Sequence, residues 1–333
     1  MKTLLVRGEE LKGLLMINEV IERVEEAFRL KALGKVQMPA KIYLFYSKYG
    51  GDLRCMPSYI EDLEVSTVKV VNSHPKNVEK GLRTVMSTVI LVDPETGFPL
   101  AIMDGGHITD LRTGAAGGVA AKYLARKDSK VIGMIGAGRQ ARTQLAALTT
   151  IYGKLEAVRV YDISRERAQS FVEEMGKLYS GVANFKAVDS AEEAVKGADI
   201  VVTATPSRQP IVKDEWVGPG THFNCIGADA PGKEELDPMI LKRAKIVVDD
   251  MEQAIHSGEV NVPLSKGLLS EKDIHAEIGE VVAGLKPGRE SESEITVFCS
   301  TGLAVQDAVT AKLAYEKAKE KGLGLYMELV LYR

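Results

Sequence analysis

The sequence predicts an α/β protein: a doubly wound parallel sheet joined to a second, discontinuous α+β domain. Three observations carry this reading. From about residue 120 onward, short apolar runs alternate with helical stretches, the rhythm of parallel βαβ units. Between Lys41 and Asp104, β-rich runs follow one another with only turns between them, as in an antiparallel sheet. The chain then ends on a helical pattern whose simplest packing is back against the first part. A length of 333 residues suits two domains at roughly 150 residues each.

The elements follow in order. Asn18, with Glu19 and Glu22 behind it, reads as a helix start, acids lying near the positive end of the helix dipole. Val20, Val24 and Phe28 share one face of that helix, and Gly34 follows its end. IYLFY, VSTVKVV, STVILV and FPLAIMD read as strands, with a turn at Asp93-Pro94-Glu95-Thr96-Gly97. KVIGMIG opens the parallel sheet, and Arg139–Tyr152 and Arg165–Leu178 read as its helices. EAVRVYDI, ANFKAV, DIVVTAT, HFNCIGA and KIVVDD supply further strands. Ala304, Ala308, Ala311, Tyr315 and Ala318 share one face of the last helix, which Gly322 and Gly324 stop.

Several function classes are disfavoured. Lys and Arg (43) nearly balance Asp and Glu (46), without a basic block, so nucleic acid is not an expected partner. Cys55, Cys225 and Cys299 are far apart, and the five histidines make no ligand spacing, so neither a disulfide framework nor a metal site is expected. No uncharged apolar stretch approaches the roughly 18 residues of a membrane helix, and MKTLLVRGEE is not a signal peptide; the expectation is a cytoplasmic protein.

Gly136-Ala137-Gly138-Arg139-Gln140-Ala141 is a GxGxxA between an apolar strand and a helix. Glycines at Gly136 and Gly138 allow a tight turn and close approach of backbone to a pyrophosphate, and the helix N-terminus offers free N–H groups. Asp162 ends the next strand, 26 residues after Gly136, near the ~20-residue offset at which an acid binds the adenosine ribose. This is a Rossmann-type dinucleotide site, and Asp162 favours NAD over NADP because a carboxylate repels a 2′-phosphate. Arg165 nearby reads as a solvated first-turn residue. Lys69 lies inside an apolar strand, Arg54 before Cys55-Met56-Pro57, Lys41 before IYLFY, and Arg112 at the domain junction. Any one of these reads as a surface cation; four together point to a pocket for a carboxylate. His74 and His107 read as loop residues, His222 as structural, Cys225 and Cys299 as core, Asp237 as a helix cap, and Trp216 as packing under the loop before Thr221.

MPAKIYL, GDLRCMP, VKVVNSHPKN, TDLRTGAAGGVAAKYLA, IGAGRQA, NCIGADAPGKEEL and CSTGLAVQD together resemble the ornithine cyclodeaminase/mu-crystallin family, nearest its archaeal alanine dehydrogenase branch. The resemblance implies a substrate-binding and dimerisation domain of residues 1–119 and 303–333, an NAD-binding Rossmann domain of residues 120–302, and a homodimer through the substrate domains. It implies that Lys69 is the substrate-contacting acid/base lysine, that Asp229 is the catalytic aspartate, and that Arg112 is shared by substrate carboxylate and cofactor. Lys41 falls where the cyclodeaminases carry a carboxylate-binding arginine. Cofactor contacts are implied for Thr84, Arg139, Gln140, Asp162, Thr203, Lys233 and Ser300, and for the strand end Asn224, Cys225, Ile226 and Gly227. One departure stands out. The cyclodeaminases carry an acid where this chain has Arg54. Two unit charges ~4 Å apart interact by about 4 kcal/mol at an effective dielectric of 20, so a diamine's second ammonium would be repelled there. The expected activity is reversible NAD-dependent deamination of a small L-amino acid, alanine first. Reduction of a cyclic imine such as pyrroline-2-carboxylate, ornithine cyclodeamination, and non-enzymatic binding in the manner of mu-crystallin are the alternatives.

Overall fold

The structure, a computed structural model, describes residues 1–331. It divides into two compact units: Met1–Arg112 together with the stretch from Leu303 onward, and Thr113–Gly302. The sequence reading put the first boundary at 119/120, whereas the units part at 112/113, inside a helix; both put the second at 302/303. Residues 332 and 333 of that reading lie outside the described residues.

The first unit opens with β1 (Thr3–Val6), α1 (Gly8–Leu11) and α2 (Ile17–Ala32). Val20, Val24 and Phe28 form the buried face of α2. The helix starts one residue before Asn18, capped at Met16, because the Glu19 carboxylate reaches back to accept the Met16 N–H at 3.2 Å. Strands β2 (Val36–Gln37), β3 (Ile42–Tyr46), β4 (Gly51–Ile60), β5 (Val65–Ser73), β6 (Val85–Val92) and β7 (Pro99–Asp104) follow. They pair antiparallel, and β1 joins β7 in parallel. The register gives this sheet two distinct faces. Val65, Thr67, Lys69 and Val71 of β5 lie on the buried one. The other carries the cross-strand rows Ile42–Cys55–Val70–Thr88 and Leu44–Leu53–Asn72–Met86, with Ile42 and Leu44 more than half exposed.

Helix α3 (Gly105–Leu124) starts directly after β7, so His107 sits in a helix and not in a loop. In the second unit, β8 (Val131–Ile135), α4 (Arg139–Tyr152), β9 (Ala157–Tyr161), α5 (Arg165–Leu178), β10 (Asn184–Ala187), α6 (Ala191–Val195) and β11 (Ile200–Thr203) alternate as expected. After them come β12 (Arg208–Val212), β13 (His222–Cys225), β14 (Glu234–Leu236), α7 (Pro238–Arg243), β15 (Lys245–Val248), α8 (Met251–Ser257), α9 (Asn261–Ser265), β16 (Ile274–Glu277), α10 (Ile278–Val282) and β17 (Thr296–Cys299). Eight strands form one parallel sheet in the order β10-β9-β8-β11-β13-β17-β15-β16. The order reverses between β8 and β11, which places the ligand crevice of a doubly wound sheet outside the carboxyl ends of those two strands.

Asn224 and His222 are wholly buried on β13. Asn224 Oδ1 meets His222 Nε2 at 3.0 Å, while its Nδ2 donates to the Gly117 carbonyl at 3.0 Å and to Gln144 Oε1 at 3.3 Å. A Cβ on Gly117 would overlap the end of the Gln144 side chain, and one on Gly114 would overlap the Thr143 carbonyl oxygen, so α3 and α4 approach closely here. Burial pushes the His222 imidazole down to about 3, so it stays neutral and structural, as expected. Cys225 and Cys299 are core, and Asp237 caps α7 by accepting the Met239 N–H. Trp216 packs, half-buried, on the core from the turn Asp214–Trp216. Helix α11 (Ala304–Glu320) then returns to the first unit, and β18 (Leu325–Met327), not anticipated from the sequence, pairs with β1 beyond Gly324. No helix among the described residues is long and apolar enough to cross a membrane.

Candidate active site

Lys69 sits on β5 opposite Met56 of β4 and Val89 of β6. Its parity puts it on the inward row, and it is 1% exposed. The ammonium does not lie free in that interior. Lys69 Nζ donates to Asp307 Oδ1 at 2.9 Å, and Arg112 Nε donates to the same oxygen at 3.0 Å. Arg112 also donates through a terminal nitrogen to Gln306 Oε1 at 2.9 Å, an oxygen that accepts the Leu303 N–H as well. Asp307 and Gln306 belong to the first turn of α11, which lies over the Lys69 face, and both are fully buried.

This environment brings the Lys69 ammonium down to about 7 from the ordinary lysine value near 10.5. Removal from water is the largest cause, the charges of Arg112 and Lys41 push the same way, and Asp307 opposes them. A lysine so placed can both accept and donate a proton near neutral pH.

Arg54 is on the same sheet face, one strand over, its cross-strand partner being Val71. Its guanidinium forks the Asp52 carboxylate at 2.9 and 3.3 Å and lies over the Tyr43 ring at 5.4 Å. The sequence reading treated Arg54 as a bare cation; Asp52 screens part of that charge and so weakens the repulsion argued from it. Thr84, the remaining first-unit candidate, lies just before β6 and accepts the His74 N–H through its carbonyl. The first unit thus brings Lys41, Lys69 and Arg112 into one electrostatic cluster, with Arg54 on the same sheet face.

In the second unit, Gly136 turns the chain out of β8 with φ +98°, and a Cβ there would lie 2.8 Å from the Ala204 carbonyl oxygen. Only glycine fits both constraints. Gly138 is the N-cap of α4 and has no side chain to occupy the helix's first N–H groups. Arg139 and Gln140 form that first turn. Asp162, just past β9, accepts the Ala137 N–H and the Ser164 N–H, both at 2.9 Å, so its carboxylate also braces the glycine turn. Arg165 is exposed and paired with Asp189, as a solvated first-turn residue should be. Open glycine backbone, an uncapped helix N-terminus and an acid at the end of the second strand fit a dinucleotide.

Thr203, Cys225 and Ser300 lie at or beside the carboxyl ends of β11, β13 and β17, with buried side chains. Asn224 is committed to the network around His222, and Ile226 is buried. Asp229 follows on a loop, ion-paired to Lys233 at 2.6 Å, and Lys233 also reaches the Gly227 carbonyl at 3.4 Å. It caps no helix.

Two buried acids hold this loop, and neither was expected from the sequence. Glu235 Oε1 accepts the Thr205 N–H and hydroxyl, both at 2.7 Å, and Oε2 accepts the Gly227 N–H at 3.0 Å. Glu259 Oε1 accepts the N–H groups of Glu235 and Leu236 at 2.7 Å. Burial raises the Glu235 carboxyl to about 7 and drives Glu259 well above the usual range, with Glu235 adding to the effect. The signal for Asp307, Gln306 and the two glutamates lies in polar residues on otherwise apolar stretches, LAVQDAV, EEL and SGEVNV.

The sequence pattern of the ornithine cyclodeaminase/mu-crystallin family matches residues 1–322. The chain belongs to that family. Alanine dehydrogenase of Archaeoglobus fulgidus is 55% identical to this family member over 97% of this chain and 98% of its own length. An archaeal alanine dehydrogenase dimer solved with bound NAD superposes with a TM-score of 0.94 at 53% identity, covering 99% of this chain and 100% of that one. The Δ1-pyrroline-2-carboxylate reductase of Thermococcus litoralis, solved with NADH and L-proline, also gives 0.94, at 47% identity over 97% of this chain and 99% of that one. More than one activity is therefore represented among full-length relatives.

Replacing Glu235 by Gln turns an NH2 group toward either Thr205 or Gly227, leaving one buried N–H facing another donor. The expected loss is about 1–3 kcal/mol. A urea titration of Glu235→Gln would show it as a lowered midpoint at unchanged slope.

Proposed function

We propose that the chain is an NAD-dependent amino-acid dehydrogenase that reversibly deaminates a small L-amino acid, alanine first. The observation that carries this reading is Lys69: a lysine shielded from water, at about 7, sharing one carboxylate oxygen with Arg112. NAD, when bound, supplies the hydride acceptor or, reduced, the donor. Gly136, Gly138, Arg139, Gln140 and Asp162 would hold its phosphates and adenosine ribose, with Thr84, Arg112, Thr203, Lys233, Ser300 and the strand end Asn224–Gly227 completing the contacts. Arg112, with Lys41 and Arg54, binds the substrate carboxylate. Lys69 takes the proton released from the amino group and returns one to the departing ammonia. Asp229, held by Lys233, orients the amine or the attacking water.

Reduction of a cyclic imine such as pyrroline-2-carboxylate is a second reading. It needs the same carboxylate cluster and the same proton donor, and the 47% identity to the Thermococcus litoralis reductase favours it. Ornithine cyclodeamination is disfavoured by a cation at Arg54, even with Asp52 beside it. NADH oxidation with pyruvate plus ammonia, set against NADH oxidation with pyrroline-2-carboxylate, decides between the first two; ornithine with catalytic NAD, assayed for proline, tests the third. No turnover with any of the three would overturn the proposal.

The exposed apolar side chains of Ile42, Leu44 and Met86 on the outer face of the first unit's sheet support a homodimer through that face. A cytoplasmic enzyme is part of the same proposal.

Three outcomes are expected. The deamination kcat/KM should fall below pH ~7, because Lys69 must be unprotonated to accept a proton, and Lys69→Ala should lower kcat by about 10²-fold or more at every pH. Fluorescence titration should show NADH binding tighter than NADPH, with Asp162→Asn narrowing the gap by roughly tenfold. Leu44→Glu should shift the sedimentation coefficient from dimer toward monomer.

A further inference from the structure

Helix α11 is apolar through Ala304, Val305, Ala308 and Val309, yet it carries an acid into the same buried face at Asp307. A carboxyl group hidden from water stays ionised only when cations or hydrogen-bond donors hold it. Here one oxygen is shared by two cations from two different elements, β5 and α3, while Asp307 Oδ2 has no partner among the described residues. The charges acting on Lys69 are Asp307 from α11, Arg112 from α3 and Lys41 from the segment before β3, while the Arg54–Asp52 pair of β4 lies on the same sheet face. Every formal positive charge in this set disfavours a proton on Lys69. Asp307 is the anion bonded to it.

We propose that Asp307 is the positioning residue of the site: its shared oxygen fixes Lys69 and Arg112 in one geometry and keeps the lysine able to carry a proton. The proposal rests on the reading of Lys69 as the acid–base group. Without the carboxylate, Lys69 sits among cations in an apolar interior and becomes a permanent free base, too weak to accept a proton from the amine or to hold one for an imine. Arg112 loses the charge-assisted bond that aims its guanidinium and, among the described residues, keeps Gln306.

Asp307→Asn preserves shape and removes charge. The acidic limb of the deamination kcat/KM profile is expected to move to lower pH by one unit or more, with kcat at pH 7.5 reduced at least tenfold and KM for the amino acid raised. Asp307→Glu, which keeps the charge and guards against misfolding of the amide variant, is expected to leave the limb within half a unit of wild type while lowering kcat. A uniform loss of activity with the limb unmoved in Asp307→Asn would reduce Asp307 to a structural residue and overturn the proposal. Thermal unfolding gives a readout that needs no turnover. The Tm deficit of Asp307→Asn relative to wild type should be larger at pH 6, where Lys69 is protonated and needs its partner, than at pH 9. In a Lys69→Met background the deficit should lose this pH dependence. Equal deficits at pH 6 and 9 with Lys69 present would sink the idea. If wild type turns over none of the three substrates, the functional reading fails, and the unfolding comparison still decides the role of Asp307.

Discussion

A lysine placed on an inward row of a sheet has to be given a counter-charge, and much of the first unit can be read as the means of supplying one. Lys69 sits on a central strand between β4 and β6, and its ammonium is buried. The anion that meets it comes from a helix 238 residues further along the chain. The unit is built from two chain segments, and the charge on its sheet is balanced by α11, which the second segment supplies. Arg112 enters from α3, close to where the two units part, and shares the same oxygen. One carboxylate therefore joins three elements that are remote in sequence.

The second unit uses carboxylates differently. Asp162, Asp199, Glu235, Asp249 and Glu259 each accept backbone N–H groups at the ends of the parallel strands. Asp249 alone takes the amides of Thr301 and Gly302, where the chain leaves this unit. Glu235 holds the loop amides of Thr205 and Gly227, and Glu259 holds the β14 backbone that carries Glu235, so these loops are fixed by hydrogen bonds that a bound dinucleotide does not have to supply.

The parallel half of the fold was legible because its signals are local: apolar runs alternating with helical stretches give Arg139–Tyr152 and Arg165–Leu178, the bounds that α4 and α5 have. The cationic cluster was legible in part. Lys69 was conspicuous as a charge inside an apolar strand, but alternation alone could not say which face it took. The partners were not legible, because Asp307 and Lys69 are neighbours only after α11 folds back. Asp52 was missed for a related reason: two residues before Arg54, it looks like one more charge on an edge segment until the strand puts both on one face. His107 and Met16 show the smaller errors. A helix that begins without a loop, and a cap made by a glutamate reaching backward, leave little trace in composition.

The close approach of α3 to α4 has a further consequence. A Cβ on Gly114 would overlap the Thr143 carbonyl oxygen, backbone of α4 about one turn past its first residues, Arg139 and Gln140. Packing this tight transmits displacement instead of absorbing it. A single added methyl at position 114 would therefore push on the main chain of the helix that opens at the glycine turn, so that the set of that turn depends partly on a side chain that is not there.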